Sequence, residues 1–323
     1  MNELFFTVGI FIFVTGLCIG SFLNVVICRA FSGESIVYPP SKCPKCGSGI
    51  KPYDNIPVLS YLILGGKCRN CKEPVSIQYP LVELLTGVLF LAAYLITGET
   101  LIYASSLREV LFLPWVLAII SLSVVIAATD IKEQVVFDVH SISLIAIILL
   151  YKICFGMWFD ALTGLLAGVV GMELLNAVGF LFVRKRAFGT GDTMICASIG
   201  ALLGAKMFAV ALLLAVIIQA LCVIPAVCKK LLDDKNYPVL ISAGIFSICA
   251  VGTKIFQADN IANILLTIVT IISGIFLCFK IPNAKSFKEN PMYLPFGPAL
   301  LVSMLVVFFF GDHILQMFFN FIR

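Results

Sequence analysis

Val183-Arg184-Lys185-Arg186-Ala187-Phe188-Gly189-Thr190-Gly191-Asp192-Thr193-Met194-Ile195-Cys196-Ala197-Ser198-Ile199-Gly200-Ala201-Leu202-Leu203-Gly204 joins two apolar segments through a basic run, a glycine-flanked turn and a carboxylate. An ionisable residue at the start of an apolar helix is costly in lipid unless it has water, a partner or a task. Gly189 and Gly191, on either side of Thr190, free the backbone for a sharp turn and for close approach by another segment. Asp192 is therefore expected at a helix N-terminus that meets water, where the helix dipole favours a carboxylate. Asp130 closes an earlier apolar run and is the candidate to meet Asp192 at the same depth as an acid/base pair.

Composition sets the class. The 323 residues are 61% hydrophobic and 12% charged, and the mean hydropathy is +1.08. These values exclude a soluble globular domain and point to an all-α polytopic membrane protein. The net charge of +4 is for the same reason no nucleic-acid signal, because in such a chain the placement of Lys and Arg carries the information. No basic n-region precedes the first apolar run, which carries Glu3 instead, so that run is expected to be a retained anchor.

Apolar runs at 4–27, 81–97, 109–128, 139–156, 160–183, 193–205, 207–228, 238–257, 260–280 and about 293–310 give about ten membrane segments. The run 193–205 is short for a span and is expected to be tilted or extended through Lys206. The chain divides into four parts: a first helix at 1–27, a loop domain at 28–80, a membrane core at 81–228 and additional C-terminal helices at 229–323. With the N-terminus outside, alternation puts 17 of the 22 Lys and Arg on the inner side. That side is the cytosolic one, and it also receives Asp130, Asp138, Asp192 and the loop 28–80.

The loop 28–80 holds two pairs, Cys43-x-x-Cys46 and Cys68-x-x-Cys71, separated by 21 residues. Each pair sets two thiolates on one tight turn, and two turns complete a tetrahedron, the pattern of a structural zinc site. Four thiolates leave no open position, so the metal is structural and supplies folding energy to a loop with little core. Redox or unligated thiols are the competing reading, disfavoured in a basic loop facing a reducing cytosol.

Several polar residues lie inside apolar runs. Asn24 is read as interhelical hydrogen-bond glue, and Gly20 and Ser21 as small residues for close helix packing. Glu83 is either a hydrogen-bonded interface residue or a contact for substrate or methyl donor. Glu173 and Asn176 share a helix face and are read as a buried polar pair. Gly164-x-x-x-Gly168 permits close helix contact. His140 is read as an interface histidine, since two His in the whole chain are too few for a His-based metal site.

Two neighbouring carboxylates cannot both ionise easily, so one holds a proton while the other acts as base, and they titrate as a unit. Such a pair can activate water and protonate a carbonyl oxygen or leaving amine in peptide hydrolysis. There is no H-E-x-x-H and no G-x-S-x-G elbow. Asp130 and Asp138 are also compatible with helix-capping roles. Carboxylates at a membrane edge serve ion pathways as well, so a proton-conducting protein and a non-catalytic scaffold stay open on composition alone.

Six motifs in order resemble the type IV prepilin peptidases, GxGD-type membrane aspartyl proteases of pilus, protein-secretion and competence systems that are both leader peptidases and N-methyltransferases. They are Gly20-Ser21-Phe22-Leu23-Asn24-Val25-Val26, the two cysteine pairs with Asn55-Ile56-Pro57 and Ser60-Tyr61 between them, Tyr79-Pro80-Leu81-Val82-Glu83-Leu84-Leu85-Thr86-Gly87, Asp130 eight residues before Asp138, Gly189-Thr190-Gly191-Asp192, and Pro295-Phe296-Gly297-Pro298. The resemblance implies that Asp130 and Asp192 are the catalytic pair, supported by Gly189, Gly191, Asp138 and Glu83. It implies a prepilin or pseudopilin precursor as substrate, its basic leader cleaved after a glycine on the cytosolic face of the cell membrane. It also implies methylation of the new N-terminus from S-adenosylmethionine, for which no G-x-G-x-x-G unit is found. Some members are peptidase only. Phe137 and Met194 depart from the family pattern, which usually has proline and lysine there, and 229–292 is longer than expected. Neither the individual precursor nor an oligomeric state follows from the sequence.

Overall fold

Residues 2–184, 186, 188–233, 241, 242, 245 and 295–322 are described in a computed structural model. The expected span 260–280, the loop 281–292, Lys254 and Asp259 lie outside the described residues, as do all but three residues of 238–257. The described elements are helical: α1 (Asn2–Ser32), α2 (Leu59–Ile63), α3 (Gln78–Ile102), α4 (Leu107–Glu133), α5 (Asp138–Cys154), α6 (Trp158–Val183), α7 (Thr190–Asp233) and α8 (Gly297–Ile322), with a 3-10 turn at Pro52–Asp54. Extended pairing among them is confined to the bridges Lys42–Gly49 and Lys67–Pro74.

Six of these helices, α1, α3, α4, α6, α7 and α8, hold stretches long and apolar enough to cross a membrane. The expected count of about ten is not reached among the described residues. At 17 residues α5 extends about 25 Å, the lower limit of length for a span. The expected runs 193–205 and 207–228 both fall in α7, which is broken inside at Gly204 (φ 77, ψ 165). That backbone conformation suits glycine, and the break falls two residues before the Lys206 boundary read from the sequence.

Sequence signals account for the ends of α4. Ser106 and Glu109 form a reciprocal capping box: Ser106 Oγ accepts from the Glu109 amide (3.4 Å) and Glu109 Oε2 from the Ser106 amide (3.3 Å). At the other end Gln134 turns left-handed (φ 56) and its amide donates to the Asp130 carbonyl at 2.9 Å. The last turn of α4 is thereby closed with Asp130 in it.

Contacts divide the chain into two units, residues 1–216 with 295–323, and residues 217–294. In the first, α1 lies along α3, α3 packs on α4, and α4 also meets α1, α5 and α8. Ile119, Ile120 and Ile126 of α4, Leu144 and Ile148 of α5 and Leu300 of α8 are fully enclosed. Trp115 stacks on Tyr151 (centroids 4.2 Å) and donates its Nε1–H to the Ile147 carbonyl at 3.1 Å, which fixes α4 against α5. Asp130 and Asp192 both belong to this unit.

Candidate active site and cysteine centre

Asp192 is the third residue of α7, whose start at Thr190 makes Gly189 the cap. Its Oδ2 accepts from the Gly189 amide at 3.2 Å, the side-chain half of a capping box. The expected placement of this carboxylate at a helix N-terminus therefore holds. Asp130 is buried at 5% exposure. Its Oδ2 accepts from the amide of Gly297 at 3.0 Å, the first residue of α8 and 167 positions away. Asp130 and the start of α7 meet at Gly297, where a Cβ would lie against both Asp130 Oδ2 and Ile195 Cδ1.

Gly297 is wedged between Asp130 and α7. A Cβ there would run into Asp130 Oδ2 and lie 3.2 Å from Ile195, one helical turn beyond Asp192. Phe296, one residue earlier, packs on Phe188 at 5.2 Å between centroids. The Phe188 amide donates to Asn176 Oδ1 at 2.9 Å. Glu173, one turn before Asn176 on α6, accepts from Thr193 Oγ1 at 3.0 Å and pairs with Arg186 at 2.5 Å. Asn176 is buried but the Glu173 side chain is 44% exposed, so the expected buried polar pair holds for Asn176 alone, and this face of α6 grips the Asp192 turn on both sides. The sequence did name Glu173, Asn176 and Pro295-Phe296-Gly297-Pro298, but gave no sign that they converge on the two aspartates.

The two glycines before Asp192 differ. Neither takes a positive φ, so the turn does not draw on the backbone freedom expected of them. A Cβ on Gly191 would lie 2.6 Å from Val136 Cβ, whereas one on Gly189 would meet nothing closer than 3.9 Å. Close approach is thus required at Gly191 alone. Gly191→Ala is expected to push the start of α7 away and lower activity by about 10²-fold, while Gly189→Ala stays within about threefold. Initial rates of the two variants check this.

Asp138 begins α5 and is exposed, and its side chain makes no hydrogen bond or ion pair among the described residues. Glu83 lies on α3 with its Oε2 accepting from the Val58 amide at 2.7 Å, and a Cβ on Gly20 of α1 would lie 2.7 Å from its Cα. Asn24 donates to the Tyr79 carbonyl at 3.0 Å, the interhelical bond expected of it.

The four loop cysteines converge. Cys43, Cys46, Cys68 and Cys71 place their sulfurs within 4.8 Å of one another, with Cys43 and Cys71 3.9 Å apart. A tetrahedron of thiolates at the ~2.3 Å zinc distance has edges of about 3.8 Å, so the set fits a metal ion of that kind. Two matching turns build it. The Cys43 amide donates to the Ser48 carbonyl (2.9 Å) and the Cys68 amide to the Glu73 carbonyl (2.8 Å). Gly47 (φ 72) and Lys72 (φ 60) take the same left-handed position after each pair. Hydrogen bonds from Ser48 bring the Cys46 thiol down to about 6, and backbone amides at Cys71 and Asn70 lower that of Cys68. Asp54 clamps Arg69 through contacts of 2.6 to 2.9 Å, bracing the second turn.

The bacterial peptidase A24 N-terminal domain matches residues 14–97, and the type IV leader peptidase family matches residues 117–224. A prepilin leader peptidase/N-methyltransferase of Myxococcus xanthus is 38% identical over 209 residues, covering 62% of this chain and 59% of its own. A type 4 prepilin-like proteins leader peptide-processing enzyme of Escherichia coli is 36% identical over 220 residues, covering 59% of this chain and 75% of its own. This chain belongs to the type IV leader peptidase family. A Klebsiella pneumoniae prepilin leader peptidase/N-methyltransferase matches at 35% over 90% of its length. No solved structure matches. Within this protease family, the first matched stretch takes in the cysteine loop and the second runs from within α4 into α7, with both aspartates inside it. Helix α8, whose first amide holds Asp130, lies outside both.

Proposed function

We propose that this protein is a multi-pass membrane aspartyl endopeptidase that removes the leader of type IV prepilin-like precursors and methylates the new N-terminus. The approach of Asp130 to the start of α7 through Gly297, with Asp192, 62 residues later in sequence, in the first turn of that helix, carries the reading. The pair shares one proton. The ionised member takes a proton from a water, whose oxygen adds to the scissile carbonyl carbon. The protonated member gives its proton to the carbonyl oxygen. Collapse of the tetrahedral adduct then breaks the C–N bond: the proton taken from water passes to the leaving amine, and one hydroxyl of the adduct returns its proton to the other carboxylate, so the pair again holds one proton. Gly297 fixes one oxygen of Asp130 and Gly189 one of Asp192, so each carboxylate keeps its other oxygen for water or substrate. The distribution of Lys and Arg supports about ten segments with the pair at the cytosolic face of the cell membrane.

Cys43, Cys46, Cys68 and Cys71 would hold zinc, which supplies folding energy to residues 28–80 and no reaction step. About one zinc per chain is the expected result of metal analysis on the purified protein. Cys68→Ser with Cys71→Ser should remove it and expose the loop to limited proteolysis. Zinc retained in that double variant would overturn the assignment. The relatives' names carry an N-methyltransferase activity, and S-adenosylmethionine is the donor that the family resemblance implies. The described residues contain no strand followed by a glycine turn and helix, so no residue is assigned to it.

The purified protein, given a precursor with a basic leader and isotopically labelled S-adenosylmethionine, is expected to release the leader and label the shortened chain. An intact precursor would refute the peptidase reading. Cleavage without label would refute the methylation alone.

A further inference from the structure

The loop that carries the cysteines does not simply stand off the ends of α1 and α3. The two helices run antiparallel in a register fixed by two contacts, Gly20 against Glu83 and Asn24 against the Tyr79 carbonyl. Glu83 lies five residues inside α3, about 7 Å from its start at 1.5 Å per residue. Gly20 lies twelve residues before the end of α1, about 18 Å from it. Around this level Phe22, Leu81, Leu84 and Leu85 are 44% to 55% exposed, so the surface of both helices there is apolar and faces lipid. The Val58 amide reaches this level to bind Glu83 Oε2.

The residues around Val58 suit that depth. In and beside α2, Ile56, Leu59, Leu62 and Ile63 are 47%, 51%, 67% and 71% exposed. Ser60, the polar residue among them, is buried, accepting from the Ile56 amide and donating to the Tyr53 carbonyl. Lipid-exposed backbone must satisfy its own hydrogen bonds. The amides of Ile56, Val58, Leu59 and Ser60 all have acceptors, respectively Ser60 Oγ, Glu83 Oε2, the Pro57 carbonyl and the Ile56 carbonyl. Val58 itself adopts φ 60, an outlier for a β-branched residue, and its amide is held there by Glu83. The surrounding loop 28–80 carries seven Lys and Arg against three acids, a balance that favours anionic headgroups.

We propose that residues 56–63 are an interfacial lipid anchor, which lays the apolar side chains of α2 into the leaflet beside α1 and α3 and holds the cysteine loop down on the bilayer. The proposal rests on the membrane placement of α1 and α3 and is independent of the peptidase reading. Glu83 is then the carboxylate that receives the Val58 amide where water does not, which gives this intramembrane acid a task apart from the aspartate pair.

The test uses the full chain in vesicles of phosphatidylcholine and phosphatidylglycerol, with a benzophenone amino acid placed singly at Leu62, Ile63, Leu85 or Lys45. Leu85 reports the lipid-facing side of α3, and Lys45 an exposed position of the first cysteine turn. Photolysis and mass analysis are expected to give lipid adducts at Leu62 and Ile63 in yields comparable to Leu85 and about tenfold above Lys45. Lipid adducts at Leu85 with only protein adducts, or none, at Leu62 and Ile63 would overturn the anchor and leave the spans intact. No lipid adduct even at Leu85 would overturn the membrane placement beneath it. Equal yields at Lys45 would overturn the localisation to 56–63.

Discussion

Asp130→Asn and Asp192→Asn each lower precursor cleavage by about 10³-fold or more, and the double variant is no slower than either single one. Asn keeps the shape of the side chain and its ability to accept the Gly297 or Gly189 amide, so helix packing survives. What it removes is the ionisation that lets one partner take a proton while the other gives one. Because the two act as a unit, the first loss already stops the proton exchange and the second has little left to remove. Asp138→Asn stays within about threefold, since that side chain is exposed at the start of α5 and touches neither aspartate. Rates of leader release by the four purified variants check this. Full activity in either of the first two would rule out the aspartyl mechanism.

The second large effect is expected far from the carboxylates. Gly164 of α6 and Gly200 of α7 face each other so closely that a Cβ on either would land on the other's carbonyl oxygen, and Gly168 meets the Cys196 carbonyl in the same way. Gly164→Ala or Gly200→Ala must part the helices by about 1 Å, an overpacking that costs about 1–3 kcal/mol. Glu173 and Asn176 lie on α6 and grip Phe188 and Thr193 on either side of Asp192. Parting the helices therefore shifts Asp192 against Asp130. A misplacement of that size lowers turnover by about 10²-fold even in the folded fraction. Gly49→Ala, where a Cβ would meet nothing within 4 Å, is the neutral control. Melting in detergent and cleavage rates, read together, separate loss of fold from loss of alignment. An active Gly164→Ala enzyme would mean the close contact does not set the pair.

Some of this was legible from residue order. Gly164-x-x-x-Gly168 announces close packing because small residues are the means by which helices approach in lipid, although its partner, Gly200, is named only by the structure. Asn24 reads as interhelical glue because an apolar run leaves a buried amide few other options, and it does bind the Tyr79 carbonyl. The glycines before Asp192 were harder. Sequence gives both the same two reasons, a sharp turn and close approach, but space at Val136 constrains Gly191 and leaves Gly189 open. Glu83 admitted two readings, and its hydrogen bond to Val58 supplies a local partner.

By itself the sequence determined the class of molecule and the chemistry on offer. Hydropathy over windows of about 20 residues is a local sum, which is why the membrane-spanning character of the chain is readable without coordinates. Cysteine pairs two residues apart are likewise local, since one tight turn suffices to aim two thiolates together. Only the tertiary structure decided that α8, 167 residues beyond Asp130, supplies the amide that holds it, and that α6 clamps the turn bearing Asp192. It alone also joined the two cysteine turns and brought Val58 down to Glu83. Those contacts depend on which helix lies beside which, a choice made by packing among many similar apolar faces. An apolar stripe tells a helix to bury that side or give it to lipid and leaves the neighbour unnamed.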